Sequence, residues 1–130
     1  MITLTFPGMK PHAKDRARFH NVSGRHMVAP KFRQWRHEFV LMTRSQTGTG
    51  RREPITEPIA VAVTYRTATG NMRPDVDNAA GAVLDALQDA GIIANDSQVR
   101  RLLVEVVKAP RADVGITVRI EAIGTTEATG

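Results

Sequence analysis

The sequence predicts an α+β domain: a small mixed β-sheet of about four strands with two helices, in the order β-α-β-α-β-β. Three observations predict it. Four short stretches alternate apolar and other residues with the period of two that a strand with one buried face requires. Two longer stretches repeat apolar residues at steps of three and four, the period of an amphipathic helix. The chain has 130 residues, 42% of them hydrophobic and 24% charged, which suits one folded domain with one core and excludes larger architectures. Residues 1–123 are read as that domain and 124–130 as a frayed tail of Gly, Thr, Glu and Ala.

Ile2, Leu4 and Phe6 alternate with Thr3 and Thr5 before Pro7-Gly8 and make the first strand. Residues 9–29 are basic and poorly periodic and read as a loop. From Lys31 to Ser45, Phe32, Trp35, Phe39 and Met42 form the apolar stripe of a helix that opens just after Pro30. The Gly- and Pro-bearing segment Gln46 to Pro58 is a linker. Ile59, Val61, Val63 and Tyr65 mark a second strand, and Thr67 to Pro74 leads out of it. Ala80, Val83, Leu84 and Leu87 then fall on one face of a helix over about residues 78–90, with Asp77 as its N-cap and Gly91 as its stop. Leu102, Val104 and Val106 mark a third strand and Ile116, Val118 and Ile120 a fourth; with only the turn-rich Pro110 to Gly115 between them, these two are expected to pair as a hairpin.

Charge is divided along the chain. Residues 1–52 carry eleven Lys and Arg against Asp15 and Glu38, a net of +9, whereas residues 53–130 carry seven against eleven, a net of −4. A basic half favours a polyanion through counterion release, and carboxylates in the other half repel phosphate unless a cation sits among them. Nucleic acid and a metal ion are the partners this pattern suggests, with a merely solubilising basic surface as the alternative. No apolar run reaches the roughly 20 residues of a membrane span, and the first residues lack the pattern of a secretory signal, so an intracellular protein without a membrane partner is expected. The absence of cysteine removes disulfides, thiolate nucleophiles and cysteine-ligated metals. His12, His20, His26 and His37 include no His-Glu-x-x-His, which argues against zinc; Gly48-Thr49-Gly50 lacks the context of a dinucleotide loop, and no Gly-Lys-Ser/Thr is present.

The densest polar information is Arg73-Pro74-Asp75-Val76-Asp77-Asn78, followed after one helix by Asn95-Asp96-Ser97-Gln98. Residues two apart in an extended segment project to one side, so Asp75 and Asp77 can aim two carboxylates at one point where the helix begins. That donor set suits a hard cation such as Mg²⁺, which takes oxygen ligands and keeps waters for exchange with a phosphate and a nucleophile. The alternative is an ordinary helix cap with a solvated neighbour. A third ligand at Asp96 requires the loop after Gly91 to fold back toward the helix start, which spacing leaves open. A calcium EF-hand is excluded, because counting from Asp75 puts Ala80 and Ala86 where that loop needs Gly and Glu. Asp85 is read as a structural hydrogen-bonding residue and Asp89 as solvated.

These stretches, with Val83-Leu84-Asp85-Ala86-Leu87 and Ile93-Ala94-Asn95-Asp96-Ser97-Gln98-Val99, resemble the signature of the RusA-like endodeoxyribonucleases, which resolve Holliday junctions. Lys14-Asp15-Arg16-Ala17-Arg18 and His26-Met27-Val28-Ala29-Pro30-Lys31 extend the likeness upstream. The resemblance implies a homodimer, cytoplasmic and nucleoid-associated, of cellular or viral origin. It also implies dependence on Mg²⁺, with Mn²⁺ as an alternative, and symmetric nicking of four-way DNA in recombination and repair. Asp75, Asp77 and Asp96 are implied as the metal-binding and catalytic residues. Lys10, Lys14, Arg16, Arg18, Arg25 and Arg73 are the candidate contacts to the DNA backbone. Two departures stand out: Gly81 replaces the lysine that the family carries four residues after the second aspartate, and Asn95 replaces the first acid of the pair before Ser-Gln. Arg73 and Lys108 are candidate substitutes for the missing cation. The rival functions are a junction-binding protein that has lost cleavage, suggested by Gly81, and a plain nucleic-acid-binding module whose aspartates only cap a helix.

Overall fold

The computed structural model describes residues 1–13, 18–19 and 26–27 (backbone only), 30–48 and 53–123. Its elements are β1 (Ile2–Pro7), β2 (Arg18–Phe19), β3 (His26–Met27), α1 (Pro30–Thr47), β4 (Ile59–Thr67), α2 (Val76–Asp89), β5 (Val99–Lys108) and β6 (Gly115–Ala122). Short 3₁₀ turns occupy Asp96–Gln98 and Arg111–Asp113. This is the α+β class and the element order that the periodicities predict. Within the segment read as a loop, β2 and β3 form a small antiparallel pair.

The four long strands form one mixed sheet in the order β1-β6-β4-β5. The last two strands do not pair as a hairpin. Instead β5 runs parallel to β4, and β6 enters between β1 and β4, antiparallel to both. Burial explains the choice: Ile116, Val118 and Ile120 of β6 are buried, whereas Leu103 on β5 is 55% exposed, so β6 fits the middle of the sheet and β5 its edge. The connection β4-α2-β5 is the crossover that parallel neighbours need.

Alternation assigns the faces. Ile59, Val61, Val63 and Tyr65 of β4, with Leu4 and Phe6 of β1, turn toward the helices and are buried. Pro30 opens α1, where its fixed φ suits the first helical residue and its missing N–H costs no hydrogen bond. The α1 stripe of Phe32, Trp35 and Phe39 packs on the sheet: the Phe39 ring stacks on Phe6 with centroids 4.0 Å apart and lies 5.3 Å from Trp35. The Trp35 indole N–H donates to the Lys10 carbonyl at 2.8 Å, anchoring the chain as it leaves β1. The buried surface of α2 is built from Ala79, Ala80, Ala82, Val83, Ala86 and Leu87, mostly small enough to let its neighbours approach closely. Its stop is Gly91, whose φ of +76° is one that other residues adopt only with strain.

Tyr65 is fully buried, burial pushes its hydroxyl pKa well above the ordinary value, and its oxygen has no hydrogen-bond partner among the described residues. Tyr65→Phe is therefore expected to leave the melting temperature unchanged or raise it, since it removes an unpaired polar atom. Phe39→Ala, which opens a cavity beneath two aromatic neighbours, is expected to cost about 3–5 kcal/mol in urea unfolding.

Candidate active site

Helix α2 begins at Val76, two residues earlier than its periodicity predicts, so Asp75 rather than Asp77 is the N-cap. Asp75 has the extended backbone of a cap (φ −60°, ψ 144°), and its carbonyl accepts from the Ala79 N–H at 2.9 Å. Its carboxylate makes no capping bond. Asp77 lies in the first turn, where negative charge is favoured by the helix dipole, and its direction is set by the helix rather than by strand alternation. Both side chains are exposed, and among the described residues neither has a basic group within 4 Å. Two residues of chain hold their Cα atoms within about 7.6 Å, so both carboxylates stand at one helix end. Helix capping accounts for the position of Asp75 and leaves its carboxylate uncommitted.

Asp96 stands at the other end of the crossover. The loop after Gly91 does not fold back toward the helix start. It runs beside the segment that leads into β4, with Ile55 N–H donating to Ile92 O at 2.9 Å and Ala94 N–H to Ile55 O at 3.1 Å. The Asp96 N–H then bonds the Gln88 side chain in the last turn of α2. From Asp77 to Gln88 the helix rises about 16 Å at 1.5 Å per residue. Ligands of one Mg²⁺ lie about 2.1 Å from it, so their oxygens are no more than about 4 Å apart. Among the described residues no three His, Asp or Glu side chains are grouped to hold a metal ion. One chain thus brings Asp75 and Asp77 together and leaves Asp96 apart from them.

The Asn95-Asp96-Ser97-Gln98 turn is rigidly built. Asn95 caps it, its Oδ1 accepting from the Ser97 N–H at 2.8 Å. Gln98 is buried: its Oε1 accepts from the Ala94 and Asn95 N–H groups at 2.8 and 2.9 Å, and its Nε2 donates to the Glu57 carbonyl at 2.8 Å. An asparagine in place of the family's acid therefore supplies the same capping oxygen. The clamping role of Gln98 was not read from the sequence, although a Gln three residues after an Asn is the capping-box signature.

Asp85 has the structural role expected of it. Arg36 of α1 donates to its carboxylate at 2.9 Å and reaches Asp89 at 3.3 Å, while its guanidinium lies 5.3 Å from the centre of the Phe32 ring. Asp89 is exposed, yet it is paired rather than merely solvated. Among the cations, Arg73 is exposed two residues before Asp75, Lys108 ends β5, and Lys10 is exposed just past β1. Lys14, Arg16 and Arg25, like the side chain of Arg18, lie outside the described residues, as does the tail from 124. His12 sits 5.8 Å from Phe32 and 6.0 Å from Trp35 between ring centroids, with its Nδ1 2.8 Å from the Ala13 carbonyl. No helix is long and apolar enough to cross a membrane among the described residues.

A protein-family profile described as Endodeoxyribonuclease RusA matches residues 8–121. The chain belongs to the RusA endodeoxyribonuclease family. A search of curated proteins gives no match. Membership supports a Holliday-junction-resolving endonuclease, and the match covers both helices, β4, β5 and β6 up to its penultimate residue, leaving β1 just outside it.

The RusA signature Ser-Gln thus contains a structural clamp, and its removal has a distinct expected result. Gln98→Leu strands two N–H groups and one carbonyl, so it should cost about 1–3 kcal/mol per unsatisfied group in thermal unfolding and slow single-turnover nicking by displacing Asp96. Gln98→Glu, which keeps the accepting oxygens, should lose less of both.

Proposed function

We propose that the protein is a Mg²⁺-dependent, homodimeric endonuclease that resolves four-way DNA by hydrolysing one phosphodiester in each of two strands, with Mn²⁺ as an alternative metal. The observation that carries the reading is the Asp75 carboxylate, which stands at a helix start, exposed and without a capping bond, two residues from a second exposed carboxylate. Oxygen-only donors of this kind fit a hard cation, and such an ion when bound supplies Lewis-acid polarisation of a phosphate and a water of lowered pKa. Asp75 and Asp77 hold the ion at the start of α2 and fix its position relative to the strand. The helix N-terminus adds partial positive charge facing the phosphate.

Asp96 enters as the third ligand from a second copy. In one chain it lies at the start of β5, while Asp75 and Asp77 lie toward the end where β4 and β5 finish. β5 is an edge strand with Leu102, Leu103 and Val107 exposed, an edge that proteins ordinarily cover. Antiparallel pairing of two such edges about a two-fold axis brings the start of each β5 beside the end of the other. Asp96 of the partner subunit then approaches Asp75 and Asp77, and two equivalent sites result, as symmetric nicking needs. The basic N-terminal half, with Lys10, Lys14, Arg16, Arg18, Arg25 and Arg73 as candidates, holds the DNA backbone without reading sequence.

Asp75→Asn or Asp77→Asn should abolish Mg²⁺-dependent nicking of a synthetic four-way junction while preserving or tightening its binding, because a charge that repels phosphate is removed. Undiminished nicking by either variant would sink the assignment. Co-expression separates a shared site from a single-chain one. In a mixed dimer of Asp77→Asn with Asp96→Asn, a shared site leaves one of the two centres intact, and single-strand nicking returns although each variant alone is inactive. No recovery in verified mixed dimers places all three ligands within one chain.

A second reading, a junction-binding protein without cleavage, is favoured by Gly81. Gly81→Lys puts a cation one helical turn after Asp77, on the same face, and should raise the single-turnover nicking rate and modestly stabilise the helix. If Arg73 or Lys108 already fills that role, Gly81→Lys gives no gain and Arg73→Ala or Lys108→Ala cripples cleavage. Nicking absent from the wild type and from Gly81→Lys alike would establish the binding-only reading.

A further inference from the structure

The half of the chain that carries a net charge of −4 nevertheless places two of its cations, Lys108 and Arg111, at one concave surface. An open cleft of about 470 Å³ lies where β4 and β5 end, lined by Ala68, Lys108, Ala109, Pro110 and Arg111. Its floor is fixed by backbone bonds: Ala109 N–H donates to Thr67 O at 2.9 Å, and Asp113 N–H to Pro110 O at 2.8 Å. Arg66 braces the turn from the sheet, its Nε donating to the Asp113 carbonyl at 2.9 Å and its guanidinium also bonding Thr117. Beside Lys108, the Gly70 N–H donates to Thr67 Oγ1 at 2.9 Å, and a Cβ at Gly70 would stand 3.3 Å from the Lys108 Cβ. With φ of +79°, Gly70 is thus a glycine both for its backbone and for its closeness to Lys108.

Neither Lys108 nor Arg111 has a carboxylate within 4 Å among the described residues, although Asp113 belongs to the same turn. Two uncommitted cations therefore border a concave surface whose walls are small apolar residues. Such a surface admits a backbone phosphate and the sugar beside it, and it offers no polar edge that would select a base. Its position gives it a purpose. The loop that begins at Ala68, one of the residues lining the cleft, ends at Asp75, so a short stretch of chain joins one wall of the cleft to the two carboxylates.

We infer that Lys108 and Arg111 form a phosphate-holding subsite for the DNA strand on one side of the bond to be cleaved, separate from the basic N-terminal segment. The inference rests on the nuclease reading for its location and on the cleft for its chemistry. Lys108 serves here by holding the strand, and Arg111, a side chain to which nothing in the signature points, is its partner. Two phosphates engaged by two cations make a definite contribution to the salt dependence of binding, of about one unit in the slope of log affinity against log salt for each contact.

The test is junction binding by the full-length protein in metal-free buffer over a range of salt. Lys108→Ala and Arg111→Ala should each weaken binding and flatten the slope by about one, and the double variant by about two. Lys108→Arg and Arg111→Lys should keep the slope of the wild type. Ala68→Glu, which plants a carboxylate in the cleft and removes no cation, should also weaken binding, and circular dichroism melting identifies any variant that is simply unfolded. An unchanged slope in folded alanine variants, or unchanged affinity in folded Ala68→Glu, overturns the subsite. Mg²⁺-dependent nicking by the wild type, measured alongside, reports on the nuclease reading separately. Should the wild type not nick, the same slopes on linear duplex decide the subsite alone.

Discussion

The parallel pairing of β4 with β5 is the constraint on which the rest of the structure depends. Parallel neighbours need a crossover, the crossover is α2, and its direction puts the helix start at one end of the sheet and the chain entering β5 at the other. That arrangement gives Asp75 and Asp77 a common place and separates Asp96 from them by most of the helix length. It also makes β5 an edge. The separation of Asp96 from Asp75 and Asp77 and the uncovered strand thus belong to one arrangement, which is why the proposed function places a second copy of the chain there.

Around this frame, polar contacts fix the elements that carry the acids. Arg36 ties α1 to the far end of α2 through Asp85 and Asp89, so the Ala-rich helix is held by a charged contact on one side and by close packing on the other. The Arg36–Asp85 pair is partly buried and the contact to Asp89 exposed, so solvent screens both, and their value lies in orienting one helix against the next. Gln98 does the same for the turn bearing Asp96, from a buried position where its three hydrogen bonds are costly to lose. Both aspartates at the start of α2, by contrast, have no basic partner among the described residues, and the proposed metal site relies on that.

Much of this was legible in the sequence. The alternation in 2–6, 59–65, 102–106 and 116–120 placed the four long strands, and the three-four spacing placed both helices to within a turn. The pairing was not legible. Leu102, Val104 and Val106 alternate as cleanly as Ile116, Val118 and Ile120, so periodicity does not say which set lies at the edge, and closeness along the chain wrongly favoured a hairpin. The crossover was visible only as a strand, a helix and a strand in succession. Strand-like alternation does not describe Asp75 and Asp77, because the helix begins at Val76 and puts the second of them in its first turn. Arg111 escaped notice for a simpler reason: the convergence of Lys108 and Arg111 on one cleft depends on how the chain turns after β5, to which no spacing rule applies.

The cap at Asn95 has a consequence for how such chains are recognised. An amide and a carboxylate offer the same accepting oxygen to the Ser97 N–H, so the position tolerates exchange between the two without disturbing the turn. Acid or amide at such a position leaves the turn intact, a freedom that the neighbouring aspartate would lack if it meets a metal. A search pattern that demands two consecutive acids there would discard chains in which the turn is built just as firmly. Writing the pattern as cap, acid, serine and clamp retains them, and it ranks each letter by what its atoms touch.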